Sequence, residues 1–260
     1  MPALDPGTRV ATPATATGLT TLDLSSQAVS LAFWHKRVLG TGANYGCVFA
    51  QQSTSYREGY WVQFNADRTM QFNVGHVTVG QAAISGPMVL YDRWAHYAVT
   101  WDGARALFYR NGACLSSVAQ VFTPTFGGTR NTKLGNGGDG IVRGSLFDLQ
   151  VYPNITLPPG QIRATMDPRT TVGGMKGRWA RWEWRDVPGG TMRDESGNGN
   201  TLTQANIAGR CLTVPEPNWQ RAAGALGARR RPVYRTVAAG VEKIGARTLF
   251  LGGLTMTGAT

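Results

Sequence analysis

Acid is scarce in this chain. Against 26 Lys and Arg, its 260 residues carry 15 Asp and Glu, for a formal net charge of +11. The only glutamates are Glu58, Glu183, Glu195, Glu216 and Glu242, and none sits in an alternating E-x-D-x-E run. Glycoside hydrolysis needs two carboxyl groups held about 5–5.5 Å apart, so the missing run argues against a glycan-active enzyme. Cysteine is also rare. Cys47, Cys114 and Cys211 are far apart and show none of the short Cys/His spacings of a metal site. They are expected to be buried free thiols in a chain made in a reducing compartment. No apolar run approaches the ~18–20 residues of a membrane span, and no membrane partner is expected. The opening MPALDPGTRVATPATATG has no apolar stretch behind a basic start, so no secretory signal is expected. G-x-S-x-G, P-loop and zinc-protease motifs are absent.

What the chain has is β pattern. Val29, Leu31 and Phe33 alternate with Ser30, Ala32 and Trp34. Tyr60, Val62 and Phe64 alternate with Trp61 and Gln63. Then come the turn Asn65–Arg68 and the alternation of Met70, Phe72 and Val74 with Gln71 and Asn73. That is a hairpin with one buried and one wetter face. Residues 93–112, RWAHYAVTWDGARALFYRNG, place Asp102-Gly103 and Asn111-Gly112 after strand-like runs. Both dipeptides suit the positive φ of tight hairpin turns, which predicts a β-meander. Further on, Phe147, Leu149 and Val151 alternate in a strand over 144–152, followed by a short helical turn opening on Pro158-Pro159.

These phrases resemble the laminin-G-like domains of the concanavalin A-like lectin/glucanase superfamily, of the kind found in bacteriophage structural proteins. Trp94-x-His96-x-Ala98-x-Thr100-Trp101-Asp102-Gly103 and the later Leu-x-Tyr-x-Asn-Gly run carry the resemblance, with Gly144–Tyr152 and Leu157–Ile162. It implies an all-β, two-sheet antiparallel jelly-roll sandwich. Trp179, Trp182, Trp184 and the loop Asp194-Glu195-Ser196-Gly197-Asn198-Gly199-Asn200 resemble a phrase that opens the domain in relatives but comes last here. Two explanations compete: a circularly permuted sandwich, or the remnant of a second repeat. The first is preferred, because a lone pair of strands buries no core of its own. The expected organisation is an extended N-terminal arm over 1–20 and a sandwich over 21–214. Within the sandwich, 167–178 is an internal linker and 179–214 supplies returning strands. A basic C-terminal tail follows over 215–260.

Candidate site residues follow from chemistry. Tyr56, Tyr60 and Trp61 are aromatics that can stack on a sugar. Asn136, Asp139, Asp194 and Asn198 are oxygen donors suited to calcium, which some lectin-like relatives hold in their loops; the competing reading is plain turn formation. No other cofactor is expected, and no catalytic residue. His35, His76 and His96 lack a nucleophile or paired carboxylate beside them and read as structural. Residues 221–260 hold Arg221, Arg229, Arg230, Arg231, Arg235, Lys243 and Arg247 against Glu242 alone, contributing +6. An acidic protein surface is the expected partner of Arg229, Arg230, Arg231, Tyr234 and Phe250. Nucleic acid is not, since no aromatic interleaving accompanies the cluster. A strand is expected at Arg247–Leu251. The expectation is a non-enzymatic structural protein on a virion surface, on head or tail, in multiple copies and bound to other virion proteins through arm and tail. It would display a lectin-like sandwich able to bind glycans. A carbohydrate-binding adhesin module is the alternative, with a glycan-active enzyme third.

Overall fold

The computed structural model describes residues 3–4, 14–16, 28–37, 46–52, 59–74, 81–119, 131–134, 136–137, 140–141, 144–167, 177–182, 191–203, 211–212, 233–237 and 240–244. The strands are β1 (Ala3–Leu4), β2 (Ala14–Ala16), β3 (Val29–Arg37), β4 (Gly46–Gln52), β5 (Gly59–Phe64), β6 (Met70–Val74) and β7 (Gln81–Ile84). Then come β8 (Ala95–Trp101), β9 (Arg105–Arg110), β10 (Ala113–Ala119), β11 (Asn131–Leu134), β12 (Asn136–Gly137), β13 (Gly140–Ile141) and β14 (Gly144–Pro153). One helix, α1 (Pro159–Ala164), precedes β15 (Ala180–Trp182), β16 (Thr191–Met192), β17 (Leu202–Thr203), β18 (Cys211–Leu212), β19 (Val233–Val237) and β20 (Gly240–Ile244).

Two sheets face each other. The first runs β10-β9-β8-β3-β14-β1-β18, with β15 also paired to β14. The second runs β12-β13-β4-β5-β6-β7, with β11 on β4 and β2 on β11. The strand pairs are antiparallel except β13 with β4. The core between the sheets is strongly aromatic. Phe33, Tyr97 and Trp101 of the first sheet meet Phe49, Tyr60, Phe64 and Phe72 of the second, all at most 1% exposed. Their rings sit edge-on or tilted, as between Phe64 and Tyr97 at 5.3 Å and 68°. Such contacts add to the area that large rings bury.

Local chemistry explains the meander. At the second turn Asn111 and Gly112 both take positive φ, 50° and 77°, as expected. A Cβ on Gly112 would lie 2.7 Å from Arg163 Cγ, so packing of the α1 segment over the turn also demands glycine. The first turn is built differently. Gly103 has φ 95°, but Asp102 has no positive φ. Its carboxylate instead accepts the N–H groups of Ala104 and Arg105 at 2.9 and 2.7 Å, an Asx-type turn.

The segment after β14 crosses the outside of the first sheet. Leu157 and Ile162 pack on Ala32, Ala98, Tyr109 and Tyr152, while Met166 packs on Trp34 and Phe147. Both faces of β3 are therefore buried. A bulge between Phe147 and Gln150 turns Phe147 to this outer layer and leaves Leu149 and Val151 in the core, so the expected shared face is split.

The N-terminal segment is not a free arm. Leu4 pairs with Leu146 and with Cys211, and Ala14–Ala16 pairs with β11, so the arm expected over 1–20 supplies strands to both sheets. Pairing satisfies backbone groups that an open sheet edge would leave exposed. In β15, Ala180, Arg181 and Trp182 pair with Val151, Gln150 and Leu149. Cys47 is buried, whereas Cys114 is exposed on β10, against expectation. In the tail, β19 and β20 form a separate hairpin at 233–244; Arg247–Leu251 lies outside the described residues.

His96 lies beneath the outer layer, fully buried between Trp34, with ring centroids 5.4 Å apart, and the Thr165 hydroxyl at 3.2 Å. Burial pulls its pKa down to about 3. The folded state holds it neutral, while the unfolded chain binds a proton below about 6.5. Stability is therefore complete above pH 6.5 and lost as pH falls toward 3, at up to about 1.4 kcal/mol per pH unit. Urea midpoints measured across that range should show this slope, and His96→Gln should reduce it.

Candidate functional site

The polar face of the β5–β6 hairpin is the outer face of the second sheet, and it is drier than expected: Gln63 and Asn73 are each 4% exposed. Strand register sets two rows of side chains across it. One runs Ala50, Trp61, Asn73; the next runs Cys47, Gln63, Gln71, Ile84. Trp61 and Gln71 are half-buried, and Ile84 is exposed. Neighbours within a row sit about 4.8 Å apart across strands.

The amides form a directed chain. Asp67, at the turn, accepts the Thr69 hydroxyl at 2.7 Å, and that bond holds its carboxyl below the usual range. Asn65 Nδ2 donates to Thr69 Oγ1 at 2.9 Å and to Gln71 Oε1 at 3.1 Å. Gln63 Nε2 donates to Asn65 Oδ1 and to Gln71 Oε1, both at 3.2 Å. Trp61 Nε1 donates to Gln63 Oε1 at 3.2 Å. Gln71 Nε2 donates to Asn73 Oδ1. The chain ends at Asn73, whose Nδ2 is buried and has no acceptor. A hydroxyl-rich ligand fits such a surface, because carboxamides serve as donors and acceptors beside an aromatic ring.

The stacking candidates fare unequally. Tyr60 is a correction: it is 0% exposed, and its ring packs on Phe49 and Phe72 in the core. Strand alternation forces this, since Tyr60 shares the inward face with Val62 and Phe64. Trp61 points the other way and stays half-buried. Tyr56 lies outside the described residues.

Of the calcium candidates, Asp194 and Asn198 have described side chains, and both are engaged within their own loop. Asp194 is 5% exposed. Its Oδ1 accepts the N–H groups of Arg181 and Ser196 at 2.9 and 2.8 Å. Its Oδ2 accepts the Ser196 hydroxyl at 2.7 Å and the Asn200 N–H at 2.9 Å. A carboxylate offers about four lone-pair sites, and all are taken. Asp194 is the hub of its loop, and the metal expectation for it is corrected. Asn198 Nδ2 donates to the carbonyls of Arg178 and Trp179, which ties the loop to β15. Asn136 lies in β12, and Asp139 is outside the described residues. Among the described residues no group of three or more His, Cys, Asp or Glu could hold a metal. Arg229, Arg230, Arg231 and Phe250 also lie outside them, and Tyr234 falls in β19.

A site residue pair not expected from sequence is buried at the β14 bulge. Arg181 Nε donates to Asp148 Oδ1 at 2.7 Å, with side chains 5% and 0% exposed. Gln150 Nε2 donates to Asp148 Oδ2 at 2.9 Å, and the Tyr152 hydroxyl to Gln150 Oε1 at 2.6 Å. Asp148 has φ 51°. Its spacing in sequence from Arg181 gave no signal of this pair.

Residues 8–163, more than half of the chain, match the family described as the Concanavalin A-like lectin/glucanases superfamily, in its Laminin_G_3 branch. The match begins inside the segment expected to be an arm. No curated protein matches the chain. Among solved structures it is similar to a provisionally described carbohydrate binding protein from Bacteroides ovatus, with 13% identity and a TM-score of 0.52. That match covers 75% of this chain and 61% of the other, so this chain spans less than two-thirds of that protein's length. A heptameric SAP-like pentraxin from Limulus polyphemus matches with 18% identity and a TM-score of 0.47, covering 62% of this chain and 79% of the other. At 13% identity, a shared fold is what the likeness to the Bacteroides ovatus protein carries.

Asp194→Ala should strip acceptors from three N–H groups at once and destabilise the protein by about 3 kcal/mol or more in urea denaturation. Added calcium should leave the melting temperature of the unaltered protein unchanged.

Proposed function

The chain belongs to the concanavalin A-like lectin/glucanase superfamily, and on that premise we propose that it is a non-enzymatic glycan-binding domain whose ligand face is the outside of the second sheet. The observation that carries this reading is Trp61, half-buried at the head of a ladder of hydrogen-bonded carboxamides. The two buried carboxylates among the described residues, Asp148 and Asp194, are committed to structure, which leaves neither of them for acid–base work. Glu58 and Glu183 lie outside the described residues.

The setting we propose is a bacteriophage particle, with the basic tail joining the domain to an acidic capsid or tail protein. One observation supports it: the β19–β20 hairpin pairs with no other strand among the described residues. An isolated two-stranded hairpin is marginal in water, so a partner surface would stabilise it. A cell-surface adhesin would use the same ligand face and differ only in what the tail meets.

A glycan array probed with the full chain should give binding that Trp61→Ala weakens about two- to tenfold, since a stacked aromatic adds roughly 0.5–1.5 kcal/mol beyond its area. Removing residues 221–260 should leave that binding intact and abolish recovery with purified particles. A chain that binds no glycan, or whose Trp61→Ala variant binds equally well, contradicts the glycan reading. A tail-less chain that still joins particles contradicts the docking role.

A further inference from the structure

Open sheet edges invite pairing, and one side of this sandwich carries the longest of those described. Among the strands that end the two sheets, β18 and β12 have two residues, β2 has three and β7 has four. Edges so short offer little backbone to a newcomer. β10, at the end of the first sheet, has seven residues and pairs with β9 alone among the described strands. Its sequence, ACLSSVA, holds no charged residue and no proline, the usual blocks on an edge. A bulge between Cys114 and Ser116 disturbs its start and leaves Leu115 46% exposed. From Ser116 to Ala119 the register with β9 is regular. The Gly86 N–H, just past β7, donates to the Ser116 hydroxyl at 3.4 Å, so the edges of the two sheets lie side by side here. Ile84 and Leu115, the exposed large apolar side chains among the described residues, both belong to these edge strands.

We propose that β10 is where a second copy of this chain docks, the two β10 strands pairing antiparallel about a two-fold axis so that the first sheet runs on across both molecules. Charge selects the occupant. Each copy carries +11, a net charge that keeps copies apart. β10 is neutral, so two copies meet along it with no charged side chain of the strand set against its like. A charged strand from another protein finds no opposite charge on β10 to hold it. Arg105 reaches the strand from β9, its guanidinium donating to the Ser117 hydroxyl at 2.8 Å. That charge opposes association and is screened by salt. Leu115 lies within the stretch that pairs, and pairing takes part of its surface from water. The contact uses the same edge on both copies, so it closes at two and builds no fibre.

The test is sedimentation velocity of the full chain across a range of concentrations, at about 0.1 M and about 1 M salt. The unaltered chain should pass from monomer to dimer as concentration rises, and the higher salt should tighten the dimer at least about twofold. Leu115→Lys removes the apolar group and adds a cation to each side of the contact. It should weaken association at least about tenfold, with circular dichroism and melting close to those of the unaltered chain. Hydrogen exchange on the unaltered chain should show the β10 amides slowing as the dimer forms. A chain that stays monomeric at every concentration overturns the proposal and leaves the edge to a strand of another protein. A dimer that loosens in salt, that Leu115→Lys leaves intact, or that forms without slowing the β10 amides joins through another surface, and each of these results overturns it as well. Because the salt and exchange measurements use the unaltered protein, the proposal stays testable if Leu115→Lys fails to fold.

Discussion

The sandwich depends on strand β14 and the bulge within it. One edge of β14 carries β3 along nearly its whole length, and the other is shared between β1 and β15. The extra residue at the bulge places Asp148 at positive φ and turns its carboxylate into a buried site. A carboxylate there needs a cation, and Arg181 supplies it from β15. Removing one partner of such a buried pair costs about 3–5 kcal/mol, because the other charge is left uncompensated. The pair thus fixes where the returning segment docks. Trp182, next to Arg181, then enters the core beside Phe49 and gives its ring N–H to the Asn200 carbonyl. Asp194 closes the same loop from its far side.

That arrangement decides which surface is left for a ligand. Residues 154–167 follow directly from β14 and cover the outside of the first sheet with Leu157, Ile162 and Met166. Ser30 anchors the cover, accepting the Leu157 N–H and donating to the Ile155 carbonyl. The outside of the second sheet carries Trp61 and the carboxamides instead. The two sheets therefore divide the work. Both are largely buried on both faces, but the outer layer of the first is apolar, whereas that of the second is made of carboxamides with Trp61 and Gln71 half-buried.

Much of this was legible in the sequence for physical reasons. Period-two alternation placed Val29, Leu31 and Phe33 in the core, and the same rule put Gln63, Gln71 and Asn73 together on the opposite, polar face. Asn111-Gly112 announced its turn because few other pairs accept positive φ at both positions. The displaced Trp179–Asn200 phrase signalled a returning strand. Other features left no local trace. A bulge shifts every later side chain to the opposite face, and nothing around Asp148 marks one. Tyr60 was an exception of another kind, since the alternation with Val62 and Phe64 already turned it away from Trp61. The Pro- and Thr-rich start reads as an arm because its strands, Ala3–Leu4 and Ala14–Ala16, are too short for alternation to show. Asp194 looks like a metal ligand from composition alone; only the four donors around it show that its oxygens are spent.

The central claim is that residues 179–182 are an integral part of the sandwich, held at the β14 bulge. Native-state hydrogen exchange on the full chain tests it most directly. The amides of residues 179–182 should exchange as slowly as those of β3 and β8, since all open only when the core opens. Exchange at 179–182 that runs orders of magnitude faster than in β3 and β8 would show a loosely attached segment and contradict the account.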